Sequence, residues 1–240
     1  MKINKNSYIF SIVFTFIATV VLVFPLTLAN TATKPIADDY WRVQRFVKTL
    51  KALGIPADAA QPEQARKQYL ALEKFTIGNG KLIEVTPAII QSSQLKKVSD
   101  EEIDKAEVQG YPYNPLFYVT TVDGQKRFAG SFTGPGLWGN VTIALGVNQT
   151  IDTIQGLQVL YQVETPGLGG RISEKWFTDQ FNGLKPGEAG VEFNISGSKK
   201  ADGFDAITGA TITSTAVRDI VNTKALPDLK SLKDKVVVAP

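Results

Sequence analysis

The longest apolar run in the chain lies at its start. From Tyr8 to Leu28 there is no charge, and Ile, Val, Phe and Leu dominate. As a helix this run spans about 31 Å, the thickness of a bilayer's hydrocarbon core. Lys2 and Lys5 precede it, and positive flanks stay on the cytoplasmic side. The expectation is one transmembrane helix with the rest of the chain outside. Pro25 is expected to kink or end that helix near the outer surface. A cleaved signal peptide is the rival reading, because Thr27–Leu28–Ala29 would pass as a cleavage site. The run exceeds a usual signal core, which favours a retained anchor.

Beyond residue 30 the period becomes helical. Val43, Phe46, Val47, Leu50 and Leu53 share one face of a helix over Trp41 to Leu53, which Gly54 and Pro56 stop. A second helix is predicted over Pro62 to Phe75, with Ala65, Tyr69, Leu72 and Phe75 inward. Gly78–Asn79–Gly80 reads as a turn, and Ser99 to Glu102 as a capping box opening a short helix. From about residue 113 strands take over. Leu116 to Val122 and Gln125 to Phe132 flank Asp123–Gly124, a strong hairpin signal. Asn140 to Val147 and Thr153 to Val163 pair about Asn148–Gln149. A glycine-rich loop, Glu164 to Ile172, a short helix from Glu174 to Phe181, and a turn at Asn182–Gly183 follow. A strand over Val191 to Ser196 then leads to a helix from about Thr213 to Ala225. After Pro227 the tail is polar and then apolar at Val236–Val237–Val238, which suits an edge strand or a loose end.

The predicted fold is α+β, an antiparallel sheet with packed helices, preceded by one N-terminal transmembrane helix. The expected organisation is an anchor over 1–30, a helical region over 31–112, a domain over 113–226 and a tail over 227–240. The helical region would be either a small layer between membrane and sheet or a docking surface for a partner.

Composition narrows the chemistry. The net charge is +3 over 240 residues, and Lys2 and Lys5 supply two of those charges. So weak a basic field argues against nucleic acid. There is no cysteine, which excludes disulfides, thiolate chemistry and ordinary iron–sulfur ligation. There is no histidine, which excludes Ser-His-Asp catalysis and His-ligated haem or zinc. A redox role would need a borrowed cofactor such as a flavin.

The segment Asp205–Ala206–Ile207–Thr208–Gly209–Ala210–Thr211 runs from strand to helix around a glycine. Such turns make anion sites, because the first helical N–H groups lack partners and the helix dipole adds positive potential. Gly209 lets a phosphate approach the backbone, and Thr208, Thr211, Thr213 and Ser214 offer hydroxyls. The plain alternative is a Ser/Thr cap on a helix. Pro166, Gly167, Gly169 and Gly170 leave a loop uncrowded by side chains, suited either to a flat ring or to an ordinary β-to-α turn. Trp138 reads as a pocket wall or a core residue. Lys199, Lys200 and Arg171 could offset a phosphate's charge, although solvated surface positions suit them better.

Three segments carry a resemblance. Asp205 to Thr211 resembles the flavinylation motif Asp-x-x-Ser/Thr-Gly-Ala-Thr of FMN-binding-domain proteins. Glu164–Thr165–Pro166–Gly167–Leu168–Gly169–Gly170–Arg171–Ile172 is similar to the family's other signature. Gly134–Pro135–Gly136–Leu137–Trp138–Gly139 is similar to a stretch in one branch, the C subunit of the Na+-translocating NADH:quinone oxidoreductase (Nqr). The Gly-Leu-Trp stretch and the Glu-Thr-Pro-Gly-Leu-Gly-Gly loop favour this branch over the related G subunit of the Rnf complex. The resemblance covers about residues 115 to 222, and the region from 40 to 114 matches neither branch.

The resemblance implies FMN joined by a phosphoester to Thr211, with Thr213 the next candidate for attachment. Thr208, Gly209 and Ala210 would surround the phosphate. Glu164, Thr165, Gly167, Leu168 and Gly169 would line the pocket, with Leu168 covering the ring and Trp138 a second wall. Asp205 would belong to the signal read by a separate flavin transferase, and no catalytic or metal-binding residue is expected. The implied protein is an electron-transfer subunit rather than a complete enzyme. It would sit in a bacterial inner membrane, its domain on the periplasmic side, with the other subunits of an Nqr- or Rnf-type ion-translocating complex as partners. Two alternatives remain: a stand-alone extracytoplasmic FMN carrier for another respiratory chain, and a binding or assembly module with no flavin, in which Thr208 to Ser214 only cap a helix.

Overall fold

The computed structural model describes residues 8–77, 95–97, 99, 116–194 and 202–238. The turn at 78–80, the helix expected after Ser99, and Lys199 and Lys200 lie outside them. The chain divides after Gln44 into two units.

The first unit is helical from Tyr8 onward, within a helix α1 whose bounds are Tyr8–Ala52. Pro25 and Pro35 both lie inside it, so the expected stop at Pro25 does not occur. A proline removes one backbone bond, but the turns on either side keep theirs. Thr27, Thr31 and Thr33 add hydroxyl bonds of 2.9 Å to the carbonyls of Val23, Thr27 and Ala29. The apolar stretch of this helix is long enough to cross a membrane, and none of it is buried.

The second unit is built on a six-stranded antiparallel sheet. Its strands are β1 (Glu73–Ile77), β2 (Leu95–Lys97), β3 (Leu116–Val122), β4 (Gln125–Pro135), β5 (Asn140–Val147) and β6 (Ile154–Tyr161), in the order β2-β1-β3-β4-β5-β6. The Asp123–Gly124 hairpin forms as the sequence predicts, both residues taking the positive φ of a tight turn (53° and 77°). Alternation splits the sheet into two faces. Phe117, Val119, Phe128, Phe132, Ile143 and Leu145 point to one face and are buried. Tyr118, Ala129 and Ala144 point to the other.

That second face is covered by residues 45–53, the end of α1, and by α2 (Pro62–Leu70). Gly146 and Gly156 let the helix end come close: a Cβ on Gly156 would stand 2.6 Å from the Lys51 carbonyl. Arg127 then donates to the carbonyls of Leu53 and Gly54 at 2.8 and 3.2 Å, closing the helix terminus. Tyr69 meets Tyr118, their hydroxyls 3.3 Å apart. The second helix stops at Leu70, short of the predicted Phe75, and Glu73 to Thr76 pair with β3 instead. The region expected to be helical over 31–112 therefore adds two strands to the sheet. Phe75 fits either period, and pairing with Phe117 decides between them.

The first face carries the C-terminal elements: a 3-10 turn (Gly169–Ser173), α3 (Lys175–Thr178), a further 3-10 turn (Asp179–Phe181) and a parallel pair, β7 (Glu192–Asn194) with β8 (Gly203–Asp205). Then comes α4 (Thr211–Ile220), which passes through a π-turn (Val221–Ala225) into α5 (Leu226–Val238). Phe177, Phe181 and Phe204 cluster here, with ring centroids 4.7 to 5.8 Å apart. The tail expected to be loose or an edge strand is helix α5. Pro227 does not end the helix because the wide π-turn just before it re-routes the hydrogen bonds that a proline cannot join. Leu229 and Leu232 are fully buried and hold α5 to the core.

Candidate functional site

Three connections meet at one end of the sheet. The first is the four-residue turn Gly136–Leu137–Trp138–Gly139 between β4 and β5, closed by Gly136 N–H donating to the Gly139 carbonyl at 2.7 Å. The second is the loop that leaves β6. The third is the passage from β8 into α4.

Glu164 ties all three. It is 4 % exposed. Its Oε1 accepts from the backbone N–H of Leu137 and Trp138 at 2.9 and 3.0 Å. Its Oε2 accepts from the Thr213 hydroxyl at 2.6 Å. Glycines leave room for the carboxylate on both sides. A Cβ on Gly136 would lie 2.6 Å from Oε1, and one on Gly169 would lie 2.6 Å from Thr213 Oγ1 and 2.9 Å from Oε2. Glu164, expected to line a pocket, and Thr213, the next candidate for attachment, are hydrogen-bonded to each other: Thr213 is 1 % exposed and its hydroxyl donates to the carboxylate.

The loop after Glu164 is held by the Thr165 carbonyl, which accepts from Leu168 N–H (3.1 Å) and Gly170 N–H (3.0 Å). Gly167 takes φ +76°, with nothing within 4 Å of where a Cβ would be. Thr165 and Gly167 are exposed, and Gly169 is buried. Arg171 lies over the Trp176 ring at 5.1 Å and pairs with Glu174 at 3.2 Å.

The third segment departs from its predicted shape in two ways. The strand that feeds it is β8, and the helix begins at Thr211 rather than Thr213. Nor is this a capped helix. The N-cap is Ala210, and among the described residues no side chain caps the first turn. Ser214 turns back instead, accepting from Ile207 N–H at 3.0 Å and donating to the Ala210 carbonyl at 3.1 Å. Thr208, Gly209 and Thr211 are exposed, and Ala210 is buried. Gly209 has φ +78°, which favours glycine, and a Cβ there would stand 3.4 Å from Leu168 Cδ2. Asp205 is exposed but fixed: its N–H donates to Gln180 Oε1 (2.6 Å), and its Oδ1 accepts from Asn194 (3.0 Å).

Four large apolar side chains stay in solvent on these segments: Leu137 (50 % exposed), Trp138 (70 %), Leu168 (46 %) and Ile212 (61 %). Trp138 is thus no core residue. Exposed apolar surface beside an uncapped helix terminus and a free hydroxyl suits a ligand with an aromatic body and an anionic end. FMN is such a ligand. Sequence reading missed Leu137, Ile212 and Gln180. The first two stand beside recognised motif residues, whereas Gln180 reaches Asp205 only through the fold.

Comparison with known proteins agrees. The sequence profile of the FMN-binding domain matches residues 136–225. The G subunit of an ion-translocating oxidoreductase complex from Methanosarcina acetivorans is 29 % identical over 164 residues, covering 67 % of this chain and 78 % of its own. The C subunit of the Na(+)-translocating NADH-quinone reductase of Haemophilus ducreyi is 25 % identical over 230 residues, covering 90 % of this chain and 89 % of its own. Among solved structures, the C subunit of that reductase from Parabacteroides distasonis superposes with a TM-score of 0.58 at 23 % identity, over 86 % of this chain and 98 % of that one. Residues 136–225 thus match the FMN-binding domain, and the chain as a whole is similar to the C subunit of the Na(+)-translocating NADH-quinone reductase and to the G subunit of the ion-translocating oxidoreductase complex.

Proposed function

We propose that this chain is a membrane-anchored electron carrier whose FMN is esterified to Thr211, working as one component of an Nqr- or Rnf-type complex. The observation that carries the reading is the exposed Thr211 hydroxyl at the head of an uncapped helix, beside exposed Leu137, Trp138, Leu168 and Ile212. The linkage joins Thr211 Oγ1 to phosphorus, so that the bound group has the composition of FMN less the elements of water. A phosphate charge near −2 becomes −1 in the diester, which is easier to hold against an apolar surface. When bound, the flavin supplies one- and two-electron chemistry that the chain's own residues lack.

The chain's residues do the rest. The free N–H groups and the dipole of α4 face the phosphate. Thr208 and Gly209 leave its approach open, and Leu168 and Trp138 shield the ring from water. Thr211 serves as an attachment point, and the bond is made by a separate flavin transferase that reads Asp205. The anchor places the domain on the extracytoplasmic side, where tethering replaces dependence on a free flavin pool. The other subunits of the complex are the donors and acceptors.

The test is the intact mass of the purified chain, with in-gel flavin fluorescence after denaturation. The expected result is a gain of one FMN less one water on the peptide containing Thr211, lost in Thr211→Ala while the fold remains. Covalent flavin retained in that variant would contradict the assignment.

A further inference from the structure

We propose that Glu164 is a positioning residue for flavin attachment: one buried carboxylate sets the Leu137–Trp138 turn and the first turn of α4 in register, so that Thr211 faces its ligand. This rests on the reading of Thr211 given above. Glu164 uses each oxygen for a different element, Oε1 for the two turn N–H groups and Oε2 for the Thr213 hydroxyl. Thr213 lies two residues beyond Thr211, on the same helical turn. Fixing Thr213 therefore fixes the rotation of that turn about its axis. Two of the exposed apolar residues, Leu137 and Trp138, sit in the other half of the clamp. The carboxylate has no slack on either side, because side chains at Gly136 or Gly169 would collide with it or with its partner. Such a clamp pre-organises a site by shape, and its worth lies in reach as much as in charge.

Attachment forms the Oγ1–P bond and breaks one P–O bond of an activated, phosphoanhydride-type flavin donor. The displaced phosphate keeps the electron pair, and the hydroxyl proton is released. Glu164 takes no part in that exchange, since its oxygens are occupied.

Length and charge can be separated by substitution. Glu164→Gln keeps the reach and the acceptor for the turn, and its amide can donate to Thr213 Oγ1. Glu164→Asp keeps the charge but is one methylene short. Thr213→Val removes only the helix end of the clamp.

The experiment co-expresses the full-length chain with a flavin transferase. It follows covalent incorporation by in-gel fluorescence and intact mass, ring seating by visible circular dichroism, and melting temperature on the same samples. The proposal expects Glu164→Gln within about twofold of wild type and Glu164→Asp about tenfold slower, the scale of one lost hydrogen bond to a charged group. Thr213→Val is expected to be slowed likewise. Both slow variants should show an altered visible dichroism in whatever fraction is labelled, at an apo melting temperature that keeps the fold intact at the assay temperature. Wild-type incorporation in Glu164→Asp and Thr213→Val overturns the clamp while leaving Thr211 as the attachment point. A slow Glu164→Gln beside a normal Glu164→Asp also overturns it, in favour of charge alone. If Glu164→Asp does not fold, Glu164→Gln and Thr213→Val decide by the same criteria. If wild type takes up no flavin, or Thr211→Ala labels as wild type does, the reading of Thr211 fails and the clamp's purpose fails with it.

Discussion

Gly169 and Thr211 occupy opposite ends of what a single residue can mean at this site. Thr211 is exposed and holds nothing in place, so its loss should remove a function without removing stability. Gly169 is buried against Thr213 and Glu164, so the reverse is expected. Gly169→Ala puts a methyl group where 2.6 Å separates it from Thr213 Oγ1. Such overpacking costs about 1–3 kcal/mol, visible as a melting temperature lowered by several degrees. An unchanged melting curve would show that the loop yields more easily than its contacts suggest. The sequence revealed that these residues belong to one site, through three segments in a fixed order. It could not reveal Glu164's part, because that depends on two partners distant in the chain, Leu137–Trp138 and Thr213. Only packing brings them within 3 Å.

At the scale of elements, the C-terminal helices show most plainly where pattern reading ends. Pro227 reads as a terminator, and the polar stretch after it as a tail. A π-turn lets the helix continue, and the leucines at 229 and 232 then face the core. Leu229→Ala should cost about 2–5 kcal/mol, as for any buried leucine, and unfolding in denaturant would register it. A loose tail would lose almost nothing. Asp228 on the same helix is 3 % exposed, and its Oδ1 has no partner among the described residues. Burial raises its pKa to about 7, against a smaller opposing pull from Lys224. An acid with a raised native pKa binds its proton more tightly when folded. Asp228 thus lowers stability as pH rises from about 4 through 7 and is most unfavourable above that. Asp228→Asn should match wild type near pH 4 and melt higher at pH 8, by an amount equivalent to about 1–4 kcal/mol. Equal melting temperatures at both pH values would mean that the carboxylate finds a partner when it ionises. The hairpins lay at the other extreme of legibility. Asp123–Gly124 and the alternation around it were enough, because a two-residue turn fixes its own register.

On the scale of the whole molecule, the second unit begins with the C-terminal end of α1. Residues 45–53 pack on the sheet of that unit: Leu50, Ala52 and Leu53 are fully buried, and Arg127 donates to the carbonyls of Leu53 and Gly54. A chain truncated to begin at Ala37 should fold and stay soluble. One truncated to begin at Ile55 should expose a sheet face and aggregate, as size-exclusion chromatography would show. Two folded, monomeric products would mean that 45–53 is dispensable. The long apolar helix and the antiparallel sheet were both legible, the first as an unbroken apolar run and the second as alternation kept over many residues. The joining of β1 to that sheet was not, since Glu73–Ile77 is short and its partner lies some forty residues away.

Thr211 carries the proposed attachment. The measurement that tests it most directly is the intact mass of the full-length chain from its own host, with peptide mapping of the flavin-fluorescent band. The expected result is one FMN less one water, on the peptide that contains Thr211. An unmodified mass and a dark band, from cells that possess a flavin transferase, would contradict it.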